Sequence, residues 1–214
     1  MTETVEAWVE RAADRSPSVQ RSRARSLQQA RVIIDAARRL IAEKGENFTT
    51  QELIKEAGVA LQTFYRYFGS KDELILAVIE EMIAESCTLW KEQARDVDDP
   101  VERLRLYVMS ALSSLNTETG PNSRFIASEH WRLSALFPDE VALATKRFAD
   151  LAAADIVEAT DRGLLHSVDP ERDAWFITQF VLSIFHQQSF APTKDPAIPA
   201  DLWRLVLGAL GGTP

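Results

Sequence analysis

One cysteine, Cys87, and three histidines in 214 residues leave little for covalent or metal-based architecture. A single thiol excludes an intramolecular disulfide framework, and so few soft ligands give no zinc-binding spacing. The lone thiol fits a reducing compartment. Long hydrophobic runs are missing too. The most apolar stretch, residues 174–185, is too short to span a bilayer and contains Thr178, Gln179 and Ser183. Residues 1–19 carry acidic side chains and no apolar run, so no secretory signal is read there. There is no phosphate loop, no metal spacing and no nucleophile motif, so nothing argues positively for an enzyme, and no cofactor is expected. The expectation is a cytoplasmic globular chain with no membrane partner and no metal.

The net charge is −8, which argues against nucleic acid until its distribution is read. Residues 15–71 hold 11 basic and 5 acidic side chains, a local excess of +6, while residues 72–214 hold 12 basic and 23 acidic ones. A basic block precedes an acidic body. The block attracts phosphate, and the body resists non-specific adhesion to it.

Helical periodicity and capping signals recur along the chain, and no segment shows strand alternation with hairpin signals. Ile33, Ala36, Ala37, Leu40 and Ile41 form an apolar stripe that ends at Gly45. Thr49 followed by Glu52 makes a capping box, and Ser70 followed by Glu73 repeats the pattern to open a helix over 70–94. Asp99 before Pro100, Asn122 with Ser123, Pro138, and Asp169 before Pro170 mark further starts, and Gly120 and Gly163 read as stops. The fold class is all-α, about nine helices: an N-terminal three-helix helix-turn-helix domain, then a larger helical domain. Expected boundaries are a flexible arm at 1–22, a DNA-binding domain at 23–70 and a helical effector-binding and dimerisation domain at 71–214.

Residues 49–67 read as two short helices joined by a tight turn at Gly58, with Leu53, Ala57, Val59 and Phe64 as their small shared core. In the second helix Phe64, Tyr67 and Phe68 turn inward, leaving Leu61, Gln62, Thr63, Tyr65 and Arg66 outside. Those outward types suit a duplex. Gln reads adenine edges, Thr reaches a thymine methyl or a phosphate, and Arg pairs with guanine or phosphate. Tyrosine hydroxyls position a helix on phosphates, and Lys71 brings charge to the start of the next helix. Arg21, Arg23 and Arg25 alternate ahead of the first long helix, either as an arm for a narrow minor groove or as a solvated tail.

These residues carry a family resemblance. Thr49, then Ala57, Gly58 and Val59, then Thr63, Phe64, Tyr65, Arg66, Tyr67 and Phe68, then Ser70, Lys71, Asp72, Glu73 and Leu74 resemble the helix-turn-helix of the tetracycline-repressor (TetR) family, over residues 26 to 83. The resemblance implies a homodimeric repressor on a near-palindromic operator, released by a small molecule held in the C-terminal domain. It implies that Thr49 and Thr50 open the positioning helix, that Gln62, Thr63 and Tyr65 lie on the recognition face, and that Tyr67 and Lys71 contact phosphate. The chain departs from the pattern at Ala60, where a capping Ser or Thr is usual, at Ile54, and at Leu61 and Gln62.

In the body, Leu104, Tyr107, Val108, Leu112, Phe125, Ile126, Trp131, Phe176 and Phe180 are the apolar candidates for an effector pocket, with Glu129, His130, Tyr107 and Gln179 as its polar groups. Most such residues in any helical domain are core. The expected effector is small and largely hydrophobic, such as an acyl or polycyclic compound. The helix over 171–190 is apolar on more than one face, so Trp175, Ile177, Val181, Ile184 and Phe185, with Leu202, Trp203, Leu205 and Val206, are assigned to a twofold partner. The competing readings are a helical small-molecule-binding or interaction protein without sequence-specific DNA binding, and an enzyme. Neither explains the basic block or the Gly58 to Tyr67 spacing.

Overall fold

A computed structural model describes residues 16–113 and 120–212. Among them are nine α-helices, one short 3-10 turn and no strand, as the sequence leads one to expect. Helix α1 (Pro17–Lys44) opens with proline at its first position, where the missing N–H costs nothing, and buries only its second half. Its buried stripe is Ile33, Ala36, Ala37, Leu40 and Ile41, and Gly45 ends it at φ 61°, donating its N–H to the Ile41 carbonyl. The expected boundary between residues 22 and 23 therefore falls inside a continuous helix. Arg21, Arg23 and Arg25 are exposed on α1 itself, not on an arm ahead of it. The rest of that arm, residues 1–15, lies outside the described residues.

Helix α2 (Thr50–Ala57) starts from a complete capping box. The Thr49 hydroxyl accepts from the Glu52 amide at 3.2 Å, and the Glu52 carboxylate accepts from the Thr49 amide at 2.8 Å. Gly58 closes the helix in the left-handed region, φ 65° and ψ 31°, which turns the chain into α3 (Leu61–Tyr67). Helix α4 (Lys71–Gln93) is capped by Ser70, whose hydroxyl accepts from the Glu73 amide. The Glu73 carboxylate reaches past the cap and accepts from the Gly69 amide at 2.8 Å.

Behind α4 come α5 (Pro100–Ser113), α6 (Gly120–Leu136), α7 (Pro138–Asp161), α8 (Pro170–Phe190) and α9 (Ile198–Ala209). The starts at Pro100, Pro138 and Pro170 follow the proline signals, and Asp169 caps α8 by accepting from the Arg172 amide. Gly163 is a stop at φ 71°. Gly120 is not. It is the first residue of α6, because glycine lacks a strong preference at a helix start and the residues after it carry the helix.

The buried side chains form two clusters. The first joins α1, α2, α3 and the first half of α4, and takes in Phe125 and Leu133 of α6 and Val141 of α7. The second fills the space among α5, α7, α8, α9 and the far half of α4. The division between head and body therefore runs through α4, not ahead of residue 71. Ion pairs brace the junction. Arg38 meets Glu85 at 2.7 Å and Glu81 at 3.3 Å, and Arg31 meets Glu81 at 2.5 Å. From α6, Arg132 grips Asp72 at 2.6 Å.

Glu52 gives a direct check on the capping of α2. Its hydrogen bond from Lys44, followed by those from Thr49, holds its carboxyl at about 2, below the ordinary 4.5. A depressed carboxylate adds stability above its unfolded pKa, and this is lost as pH falls through the folded value. Carboxyl-resolved NMR titration should give Glu52 a midpoint near 2, and Lys44→Met should raise it. An unshifted midpoint would contradict the capping geometry.

Candidate nucleic-acid interface and effector cavity

Helix α3 is held by one face. Phe64 is fully buried, its ring centroid 6.1 Å from that of Phe68 and 5.0 Å from that of Tyr65. No side chain caps the helix at Ala60, but the Ala60 carbonyl accepts from the amides of Thr63 at 2.9 Å and Phe64 at 3.1 Å. The missing cap is thus offset by the buried Phe64 and by the tight turn at Gly58. Tyr67 is half-buried and donates its hydroxyl to Gln29 of α1 at 2.8 Å, so it braces the helix from behind.

The opposite face is open. Leu61 is 41% exposed and Tyr65 54%, with Gln62 and Arg66 exposed and Thr63 half-buried. Gln62, Thr63, Tyr65 and Arg66 surround one open surface depression. Arg66 also donates to Gln29 at 3.1 Å and lies over the Tyr67 ring at 5.0 Å, which fixes the guanidinium at the edge of this face. Thr49 is exposed but engaged in its capping box, and Thr50 is half-buried beside it.

Lys71 sits differently from its expected role as a charge offered to phosphate. It is half-buried, its ammonium donates to the Phe48 carbonyl at 2.6 Å, and it lies 4.0 Å from the centre of the Phe48 ring. Here it ties the start of α4 to the segment entering α2. The basic block is also partly spent internally. Arg31, Arg38, Arg39 and Lys44 all sit in ion pairs with carboxylates, two of which, Glu81 and Glu85, lie beyond residue 71.

The body holds a cavity of about 310 Å³, partly open to solvent, among α4, α5, α6, α7 and α8. Ile79, Met82, Ile83, Ser86 and Trp90 line it from α4, spaced along one helical face. Ala111 belongs to α5, Ile126, Ala127 and His130 to α6, and Thr145 and Phe148 to α7. From α8 come Thr178, Val181, Leu182, Phe185 and His186. Of the pocket residues expected from sequence, Ile126 and His130 are here.

The others go elsewhere. Leu104, Tyr107, Val108 and Leu112 of α5 are packed in the body core. Tyr107 lies against Asp155; burial, then the charge of Asp155, pushes its phenol up to about 12. Asp155 in turn accepts from Arg103 at 2.7 Å, and burial pushes its carboxyl up despite that arginine. Phe125 belongs to the head-side cluster. Glu129 is buried in an ion pair with Arg132 at 2.5 Å, so it braces α6 and does not orient a ligand. Trp131 is 65% exposed.

On α8 the two assigned faces are exchanged. Phe176, Gln179 and Phe180, expected in the pocket, point away from the core and are exposed. Ile177 and Val181, expected at a partner, are buried in the chain's own core, as are Leu202, Trp203 and Val206 of α9. Ile184 and Phe185 pack half-buried against that core, while Trp175 and Leu205 stay at the surface. A helix apolar all round has a weak amphipathic direction, so periodicity alone does not fix which stripe faces in.

This geometry can be set beside known proteins. Residues 33–78 match the model for bacterial regulatory proteins of the tetR family. This domain is of the tetR type. An HTH-type transcriptional regulator of Bacillus subtilis, YvaF, is 32% identical over 82 residues, 36% of this chain and 43% of that protein. The fatty acid metabolism regulator protein of the same organism is 31% identical over 84 residues, 39% of this chain and 43% of the relative. The match thus spans under half the length of these relatives. Solved structures reach further. The transcriptional regulator FadR of Bacillus subtilis, in complex with stearoyl-CoA, superposes with TM-score 0.67 at 19% identity, covering 86% of this chain and 98% of that one. FadR of Thermus thermophilus, a repressor in complex with lauroyl-CoA, gives 0.67 at 20% identity, covering 85% and 92%. At these identities the likeness establishes the fold: a tetR-type head on a larger helical domain.

Neighbouring residues of α3 should separate structure from recognition. Phe64→Ala removes a fully buried ring and should cost about 3–5 kcal/mol of stability. Tyr65→Ala should change stability by no more than about 0.5 kcal/mol, because the ring faces outward. Denaturant unfolding of the two variants checks this, and a large loss for Tyr65→Ala would place its ring in the core.

Proposed function

We propose that the chain is a ligand-responsive transcriptional regulator that binds a near-palindromic operator as a homodimer in the cytoplasm. The observation that carries this reading is α3: Phe64 locks one face, and Leu61, Gln62, Tyr65 and Arg66 are presented on the other. The match of residues 33–78 to the tetR family model supports DNA as the target. A seven-residue helix covers too few bases for strong specificity alone, which favours two copies on inverted half-sites. The relatives' descriptions as transcriptional regulators favour this over an enzyme or a helical interaction protein.

Trp175, Phe176 and Phe180 on α8 and Leu205 on α9 are the apolar side chains left outward for a second copy. The effector site in this reading is the cavity beside α4, a helix that also supports the head. Repression relieved by a small, mainly apolar effector is the mode we assign. Two structural neighbours that hold acyl-CoA molecules support a small-molecule effector. Among the described residues no helix is long and apolar enough to cross a membrane, and the mechanism needs none.

Selection from random duplexes should enrich an inverted repeat, with affinity falling steeply as salt rises. Absence of any enriched repeat would contradict the regulator reading. On the selected duplex, Gln62→Ala should relax preference at particular bases by about 1–3 kcal/mol. Lys71→Ala should weaken all duplexes alike, because it loosens the seat of α2 and α4 and touches no base. For the dimer, Phe180→Glu should shift the solution mass at micromolar concentration from two chains to one. An unchanged mass would move the interface off α8.

A further inference from the structure

The cavity's chemistry is narrower than its volume suggests. None of the described side chains lining it is Lys, Arg, Asp or Glu. An ion placed there would meet no opposite charge, and burying an unpaired charge is among the costliest changes a protein interior can be asked to accept. The phosphates of a CoA thioester would face the same problem if they entered.

The polar groups that remain are few. Three hydroxyls line it, those of Ser86, Thr145 and Thr178, and two are committed to their own helices: Thr145 donates to the Val141 carbonyl at 3.1 Å, and Thr178 to the Ala174 carbonyl at 2.7 Å. His130 is different. Its Nε2 is buried and has no hydrogen-bond partner among the described residues. Such an atom is normally satisfied, so an orphan beside a cavity marks a group waiting for a partner. His186 stands near it on α8, its ring held 5.2 Å from Trp131 and 5.1 Å from Phe190. Burial, then the nearby His186, holds His130 below its ordinary pKa, which favours the neutral imidazole.

A neutral imidazole offers one donor and one acceptor, and the unpartnered nitrogen is either, according to tautomer. A hydroxyl suits both cases, because it donates and accepts. Size adds a second restriction. An engineered cavity of about 150 Å³ takes benzene, so a space about twice as large holds on the order of a dozen heavy atoms within its walls.

We propose that the cavity selects an uncharged, mainly apolar molecule of about a dozen heavy atoms whose single hydroxyl seats at His130, in preference to carboxylates and CoA thioesters. This rests on the reading of the cavity as the effector site. It separates this chain from its structural neighbours that hold acyl-CoA.

The test titrates the full chain with 1-naphthol, naphthalene, 1-naphthoate and decanoyl-CoA, followed by calorimetry. The expected result is that 1-naphthol binds about 10-fold or more tighter than each of the others. His130→Phe should abolish the preference over naphthalene, and His130→Gln, which keeps a donor and an acceptor, should retain part of it. Equal affinity for naphthol and naphthalene, tighter binding of naphthoate or decanoyl-CoA, or an unchanged preference in His130→Phe would overturn the inference while leaving the effector site standing. If none of the four binds, the effector-site reading falls and the inference with it. Should His130→Phe fail to fold, the wild-type series and His130→Gln decide.

Discussion

Helix α4 belongs to two hydrophobic cores at once, and the rest of the structure is arranged around that fact. Leu74, Ile75, Leu76, Val78 and Ile79 are buried with the head, and Cys87 is buried with the body, where Trp90 packs beside it. Each fully buried aliphatic side chain contributes about 1.5–3 kcal/mol. The ion pairs from Arg31 and Arg38 to Glu81 and Glu85 are partly exposed, and such pairs contribute about 0.2–1 kcal/mol each. The apolar set therefore decides the attachment. The ion pairs set the angle at which α1 lies on α4. The head cannot rotate without carrying the near half of α4 with it.

The cavity lies where this shared helix passes from one core to the other. Ile79 belongs to the head cluster and also lines the cavity, and Ile83 packs against both cores. On the other wall, α6 contributes His130 to the cavity and, two residues on, Arg132 to the clamp on Asp72 at the start of α4. A molecule in the cavity thus presses on two helices that end at the head. It shifts the head only by the difference in its affinity for the two arrangements, so tight packing alone would move nothing.

Much of the architecture was legible in local signals. The capping box at Thr49 and Glu52, the proline starts and the positive φ at Gly58 are short-range chemistry and are found as read, while of the second box only the Ser70 cap forms, Glu73 turning to the Gly69 amide. Phe64 in and Tyr65 out also follow from spacing, because the head helices have one wet face each. What failed needed tertiary partners. Helices α5 and α8 are apolar on several sides, so sequence alone gave no reason to turn Ile177 inward and Phe176 outward. Glu129 resembles a ligand group until Arg132 is seen to pair with it, and Lys71 resembles a phosphate anchor until its ammonium is seen donating to the Phe48 carbonyl. The cavity wall on α4 was within reach: Ile79, Met82, Ile83, Ser86 and Trp90 share one face, a stripe too long for the head to cover. Likewise the +6 excess is real in the sequence, but Glu81 and Glu85 fold back to neutralise part of it.

Reading face, shared helix and cavity form one chain of contacts, and the proposed regulation is mechanical: occupancy of the cavity favours one position of the head over another. Pulsed electron-spin distance measurement between the two copies of the proposed dimer tests this most directly, with labels on Gln51→Cys, an exposed site of α2. Cys87 does not compete for label, because it is buried and burial pushes its thiol up to about 11. Filling the cavity internally with Ala127→Phe should shift or broaden the distance distribution relative to the parent. Superimposable distributions, with the cavity shown to be filled, would contradict the coupling through α4.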